Sequence, residues 1–341
     1  MPVRDFIVQK SCIKTKTKIA IIIKSKYKKI MKKLILMAVA IVFGTAVMSA
    51  QDMSKATETY NAGAEALQIG SNETALKKFE EALALAEACG PEGADIVSNC
   101  KTIIPQIQLS VAKDLYNAKD FAAALAQVDV AIAAAEKYEN ADVAAEAKEL
   151  KPQIWMQEGN AALNKKEFAV AVEKYQLVAA ADTTNGQAFL RLGQALNATG
   201  KVAEAEAAFT SAAAKGQVKA ANKQLSNMYV KLASADLKAK KYDGAIANAL
   251  KANEFESNAT AMKIAGTAAS SAKKTDLAIE YLKKYLELSP KAKDANQMYY
   301  TIGALAQTKG DNATAIEYYE KVVNDPKFGP AVKPLLETLK K

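Results

Sequence analysis

Along nearly all of the chain beyond residue 55, large apolar residues recur every three or four positions, the period of an amphipathic helix. Short polar breaks cut that pattern into segments of helical length. Residues 152–219 show it most plainly. Laid out as two blocks of 34, they put Trp155 over Phe189, Gly159 over Gly193, Ala162 over Leu196, Ala171 over Ala205 and Tyr175 over Phe209. Each block holds two helical segments separated by a polar break near Lys166 or Gly200, which predicts a helical hairpin. Gly159 and Ala171 then stand where the two helices cross most closely, and Trp155 and Tyr175 fill the space beside the crossing. Alternation of the strand kind is absent and alanine is abundant, so the whole reads as all-α.

The second-helix alanine, followed four residues later by a large or apolar residue and three after that by a small or apolar one, finds further copies. They are Ala75/Phe79/Ala82, Ala124/Val128/Ala131, Ala171/Tyr175/Val178, Ala205/Phe209/Ala212, Ala245/Ala249/Ala252, Ala278/Leu282/Tyr285 and Ala315/Tyr319/Val322. A first-helix glycine accompanies five of these seven, at Gly63, Gly159, Gly193, Gly266 and Gly303, while Ala112 and Ala233 replace it in copies two and five. Copy five is the weakest, because Ala249 stands where a large residue is expected. The spacings Ala75 to Ala124 and Ala124 to Ala171 are 49 and 47 residues, against 34 for the next pair. The added residues run into Pro105 and Pro152, and a proline without an amide donor predicts lengthened first helices with a kink or break there. About six extra residues fall near 220–225 and three or four near 292–295.

The period and the order of small and large positions resemble the tetratricopeptide repeat family. That resemblance implies a right-handed superhelical solenoid of about seven helix-turn-helix units. Residues 51–151 would form two elongated repeats and 152–325 five more. In the remaining segment, 326–341, Leu335, Leu336 and Leu339 share one face of a short helix at 335–341 that would cap the apolar end.

The full chain of 341 residues carries a formal charge of +9, which by itself points to a nucleic-acid or membrane-surface partner. Eleven of the basic residues lie in 1–50 with a single Asp, so the rest has a net charge of −1 and the basic-protein reading fails. Residues 31–50 look like a secretory signal: Met31-Lys32-Lys33, an apolar run over 34–47, then Met48-Ser49-Ala50 before Gln51. The run is short for a membrane span, so cleavage near Ala50 and no membrane insertion afterwards are expected. Met31 begins a complete signal unaided, which leaves residues 1–30 as either an untranslated upstream misreading or a long basic leader. An exported protein of this kind is expected in the bacterial periplasm.

Histidine is absent, which removes the commonest metal ligand and general base. No phosphate loop, nucleophile elbow or metalloprotease helix occurs. Carboxylates such as Glu80/Glu81, Glu146/Glu149 and Glu204/Glu206 fall on water-facing positions. No enzyme, metal or cofactor is expected. Beyond the signal two cysteines remain, Cys89 and Cys100; an axial offset of about 9 Å at 1.5 Å per residue is long for a bond that needs Cα atoms within about 7 Å. The pair is left between a disulfide and two half-buried thiols.

The resemblance implies a binding site on the concave wall made by the first helices. By position that wall takes Gln153, Met156, Gln157, Asn160 and Asn164 in copy three and Gln187, Leu190, Arg191, Gln194 and Asn197 in copy four. Corresponding places include Tyr60, Asn61, Leu67, Gln68, Leu109, Ser110, Lys113, Tyr116, Asn227, Lys231, Ser234, Lys238, Lys263, Thr267, Ser271, Gln297, Tyr300, Thr301 and Gln307. None is Asp or Glu. Amides donate and accept, which suits an extended peptide, with Tyr60, Tyr116, Met156 and Tyr300 as apolar anchors; the plain alternative is that amides keep an Ala-rich helix soluble. The family members that clamp chaperone carboxyl termini need paired Lys and Asn plus a Lys and an Arg in successive copies, and here only Arg191 stands in a suitable place, without its companions. The expected function is a non-enzymatic exported scaffold for envelope proteins or extended peptides, with no nucleic-acid partner. The alternative is a self-associating structural subunit, a homo-oligomer, of an envelope assembly.

Overall fold

The computed structural model describes residues 50–341, all in helices, turns and short connections, with no strand among them. Apart from the helical backbone of Ala50, residues 1–50 with their basic segment and signal lie outside the described residues. The chain divides into two compact units that meet between Glu158 and Gly159.

In the first unit, α1 (Ala50–Gln68), α2 (Asn72–Ala88), α3 (Ala94–Asn117), α4 (Phe121–Lys137) and the start of α5 (Ala141–Asn164) pack in sequence order, with a 3-10 turn at Gly90–Gly93. Tyr60 of α1, Phe79 of α2 and Ile96, Ile103 and Ile107 of α3 form one buried cluster; Ala124, Val128 and Ala131 of α4 join Val143, Leu150 and Ile154 of α5 in another. The long first helices are present, 24 residues each in α3 and α5, but neither proline ends its helix. Pro105 is buried, and the apolar contacts of Ile103, Ile104 and Ile107 on either side offset the amide bond that its ring removes.

Gly159 and the rest of α5 open the second unit, followed by α6 (Phe168–Ala181), α7 (Gly186–Ala198), α8 (Val202–Ala212), α9 (Val218–Lys238), α10 (Tyr242–Phe255), α11 (Ala259–Ser271), α12 (Thr275–Leu288), α13 (Ala295–Lys309), α14 (Asn312–Glu320) and α15 (Gly329–Leu339). From α6 onward neighbouring helices pack on one another, directly or through the turn between α8 and α9. The six extra residues become additional turns at the start of α9, entered through a π-turn at Ala213–Gln217 where Gly216 holds φ +87°. In copy five, which lacks a large residue at Ala249, the aromatic pair joining its two helices is Tyr229 of α9 stacked on Phe255 of α10, with ring centroids 6.0 Å apart.

Every hairpin turns through one left-handed residue five positions before its alanine: Gly70, Lys119, Lys166, Gly200, Lys240, Lys273 and Gly310. That places the polar breaks read from the sequence in a common backbone geometry. Several helices start on side-chain caps, with Asp120, Asn185, Asn258 and Asp311 each accepting from the amide three residues on.

The closing helix is longer than expected. It begins at Gly329, because Pro330 sits in the first turn, where a missing amide costs nothing, so it starts the helix and does not interrupt the chain. Val332 and Leu336 are buried against Ala306, Ala315, Tyr319 and Val322, with Leu335 and Leu339 packed beside them.

Candidate functional site

The hairpin interior explains which first-helix side chains remain free. A Cβ on Gly159 would stand 2.7 Å from Tyr175, and on Gly193, Gly266 and Gly303 2.6–2.7 Å from Phe209, Leu282 and Tyr319. One side of each first helix is therefore pressed onto its own second helix, and the opposite side carries the polar residues.

On that side in the second unit, Gln187 of α7, Asn227, Lys231 and Lys238 of α9, Thr267 and Ser271 of α11 and Gln297 of α13 are exposed. Arg191 is half-buried and donates to Gln194 Oε1 at 3.1 Å. Asn197 is half-buried, and its carbonyl caps the end of α7 by accepting from Gly200 N. Asn160 accepts the Tyr175 hydroxyl at 2.9 Å, and Gln307 accepts that of Tyr319 at 2.7 Å, so these two amides are engaged in holding their own hairpins. Burial pushes the Tyr175 phenol upward. Asn164 is exposed at the end of α5. In the first unit, Gln153 and Gln157 are exposed and Met156 is half-buried, Gln153 donating to the Glu149 carbonyl at 3.2 Å.

Several positions expected on the wall are core instead. Leu190 is buried. So are Tyr60 and Leu67, in the cluster to which the lengthened α3 adds Ile103, Ile104 and Ile107, while Leu109 is buried in the cluster shared with α4 and α5 and Ser110 lies buried beside Asn72 of α2. Tyr60 meets Phe79 edge-on at 5.2 Å, and burial raises its phenol well above the usual range. Tyr300 is no free anchor either, since Phe328 stacks on it at 5.1 Å.

Cys89 and Cys100 are both thiols here, not a disulfide. The Cys89 thiol donates to the Leu85 carbonyl at 3.2 Å, and Cys100 is buried in the first cluster, where burial pushes its thiol up to about 12.

Two carboxylates that the sequence placed on a solvated face or did not single out are neutralised locally. Glu206 of α8 accepts from Tyr229 at 2.6 Å and pairs with Lys251 at 2.7 Å; burial would raise its carboxyl, but these partners outweigh burial and hold it below the usual range. Asp294, just before α13, pairs with Lys263 at 2.6 Å and accepts from Tyr285 at 2.6 Å, and those bonds hold it low. No sequence motif marks either triad, because each joins residues of three different segments. The first-helix face is therefore one of amides, hydroxyls and cations. Its chemistry suits polar recognition, and among the described residues no group of His, Cys, Asp and Glu stands where it could hold a metal ion.

The tetratricopeptide repeat model matches residues 156–220 and 230–293, and a second model of the same description matches 297–324. No curated protein matches the chain. Among solved structures, a crystal structure of MamA protein is 22% identical over 54% of this chain and 96% of its own, with a TM-score of 0.34. A MamA fragment from Desulfovibrio magneticus RS-1 is 18% identical over 51% and 94%, at 0.32. YrrB, described as a TPR protein with an unusual peptide-binding site, is 17% identical over 53% and 91%, at 0.31.

Proposed function

The chain belongs to the tetratricopeptide repeat family through residues 156–220, 230–293 and 297–324, and from that premise we propose that it is an exported, non-catalytic scaffold that holds an extended polypeptide on the first-helix face of its second unit. One observation carries the reading: α7, α9, α11 and α13 present Gln187, Asn227, Lys231, Thr267 and Gln297 to solvent beside the half-buried Arg191, without a carboxylate among them. Amides satisfy both the donors and the acceptors of a peptide backbone, and the cations take carboxylates of the ligand.

Export rests on the apolar run over 34–47 and the small residues Ser49-Ala50 that follow it; among the described residues no helix is long and apolar enough to cross a membrane. The partners are then other envelope proteins of the periplasm. The test is affinity recovery from the native envelope with wild type and with Gln187→Ala/Arg191→Glu. Loss of bound polypeptides in the variant supports the face; undiminished recovery of every one of them removes it. Mass spectrometry of the amino terminus tests export separately, and a retained peptide from residues 1–30 or 31–50 would refute cleavage near Ala50.

A further inference from the structure

The charges of the repeats cancel only in sum. Residues 51–158 hold 18 Asp or Glu against 9 Lys, a net of −9, whereas residues 159–341 hold 18 Asp or Glu against 26 Lys or Arg, a net of +8. The positive charge is least diluted on α9, since no Asp or Glu occurs between Glu206 and Asp236. There Lys219, Lys223, Asn227 and Lys231 follow one another at four-residue spacing on one side of the helix, and all four are exposed. The line spans about 18 Å at 1.5 Å per residue. Lys219 and Lys223 belong to the turns that α9 gains beyond the 34-residue module, so no other repeat of the second unit has their equivalent.

We propose that the acidic unit of one copy docks against the α9 lysine line of a second copy. The chain supplies both halves of the complementarity in nearly equal measure, −9 against +8. A second copy brings its acidic unit as a ligand whose charge nearly equals in magnitude that of the unit it meets. Opposite patches of this size steer encounter and fix which surfaces meet, and salt weakens them. Screening lengths of about 30 Å at 0.01 M salt and about 10 Å at 0.1 M set the window in which the contact forms.

The experiment is sedimentation equilibrium of the protein recovered from its own cell, at about 0.01 M and about 0.5 M salt, where screening shortens to a few ångströms. Low salt is expected to at least double the mass and high salt to return the monomer. Lys219→Glu/Lys223→Glu, two exposed positions outside the face proposed to hold polypeptide, is expected to stay monomeric at low salt, yet to be captured by tagged wild type, because its acidic unit is intact. Lys219→Gln/Lys223→Gln should weaken self-association in the same direction and guards against misfolding of the reversed variant. A wild type that is monomeric at low salt, a reversed variant that self-associates as wild type does, or one that wild type fails to capture each overturns the proposal. Loss of polypeptide binding on Gln187→Ala/Arg191→Glu, with self-association unchanged, would show that docking of a second copy does not need the α7 part of the polypeptide face, although the two share Asn227 and Lys231.

Discussion

Gly159 lies against the ring of Tyr175 so closely that a methyl group on its α-carbon would come within 2.7 Å of Tyr175 Cε1. The same contact recurs as Gly193 on Phe209 at 2.6 Å, and is looser at Gly63 on Phe79, 3.3 Å. Where the first helix carries alanine instead, the residue at the equivalent second-helix position is smaller: Val128 for Ala112 and Ala249 for Ala233. The size of one partner sets what the other can be.

Gly159→Ala should therefore destabilise the second unit by about 1–3 kcal/mol through overpacking, only partly offset by the better helix propensity of alanine. Gly63→Ala should cost distinctly less. Combining Gly159→Ala with Tyr175→Val, which copies the Ala112/Val128 pair, should recover part of the loss, although it also gives up the Tyr175 bond to Asn160. Urea unfolding of the single and double variants measures the coupling. Strict additivity would show that the two side chains do not constrain each other.

A second expectation comes from the turns. Lys166 holds φ +62° where Gly200 holds +79° in the next repeat. A side chain there costs about 1–2 kcal/mol, while glycine adds freedom to the unfolded chain worth somewhat less. Lys166→Gly should raise stability by about 0.5–1 kcal/mol, and Gly200→Ala should lower it by about 1 kcal/mol. Thermal melts that move both variants in the same direction would contradict the shared geometry.

Much of this architecture is legible in the residues themselves. Ala171, Gly159 and Tyr175 mark a hairpin because helix crossing needs small residues beside large ones, and the polar breaks at Lys166 and Gly200 mark its turn. What the residues could not give is set by longer-range packing. Leu190 and Tyr60 stand at positions that would line a wall, yet they are buried; for Tyr60 the cover comes from the lengthened α3. The left-handed conformation of Lys166 has no signature, since lysine is not the residue that prefers it. The Lys263-Tyr285-Asp294 triad gathers three segments, and the two-signed charge of the array vanishes when only its total is taken.

Asp294 and Tyr285 predict opposite ends of the pH profile. Hydrogen bonds from Lys263, then Tyr285, lower the Asp294 carboxyl in the folded state, so its contribution is present above the unfolded value and is lost as pH falls through the folded one. Burial, then Asp294, raises the Tyr285 phenol to about 12, so its contribution is full below the unfolded value of about 10 and is lost as pH climbs from 10 toward 12. Asp294→Asn should lower stability at neutral pH and flatten the acid limb. Tyr285→Phe should flatten the alkaline limb. Melting temperatures across pH 2–12 give both slopes, and a parallel shift of the whole curve in either variant would sink the assignment.

The two cysteines give the sharpest contrast. Cys100 has no exposure and its thiol is pushed up to about 12 by burial, so almost none of it is thiolate near neutrality. Cys89 is half-buried at the end of α2, tied only by its thiol donation to Leu85. In the native protein Cys89 should therefore react with a thiol reagent at pH 8, while Cys100 should react only as fast as the first unit opens. Peptide mapping after timed alkylation separates the two sites. Under denaturing, non-reducing conditions both should be labelled; protection of both in that state would mean that they are bonded to each other.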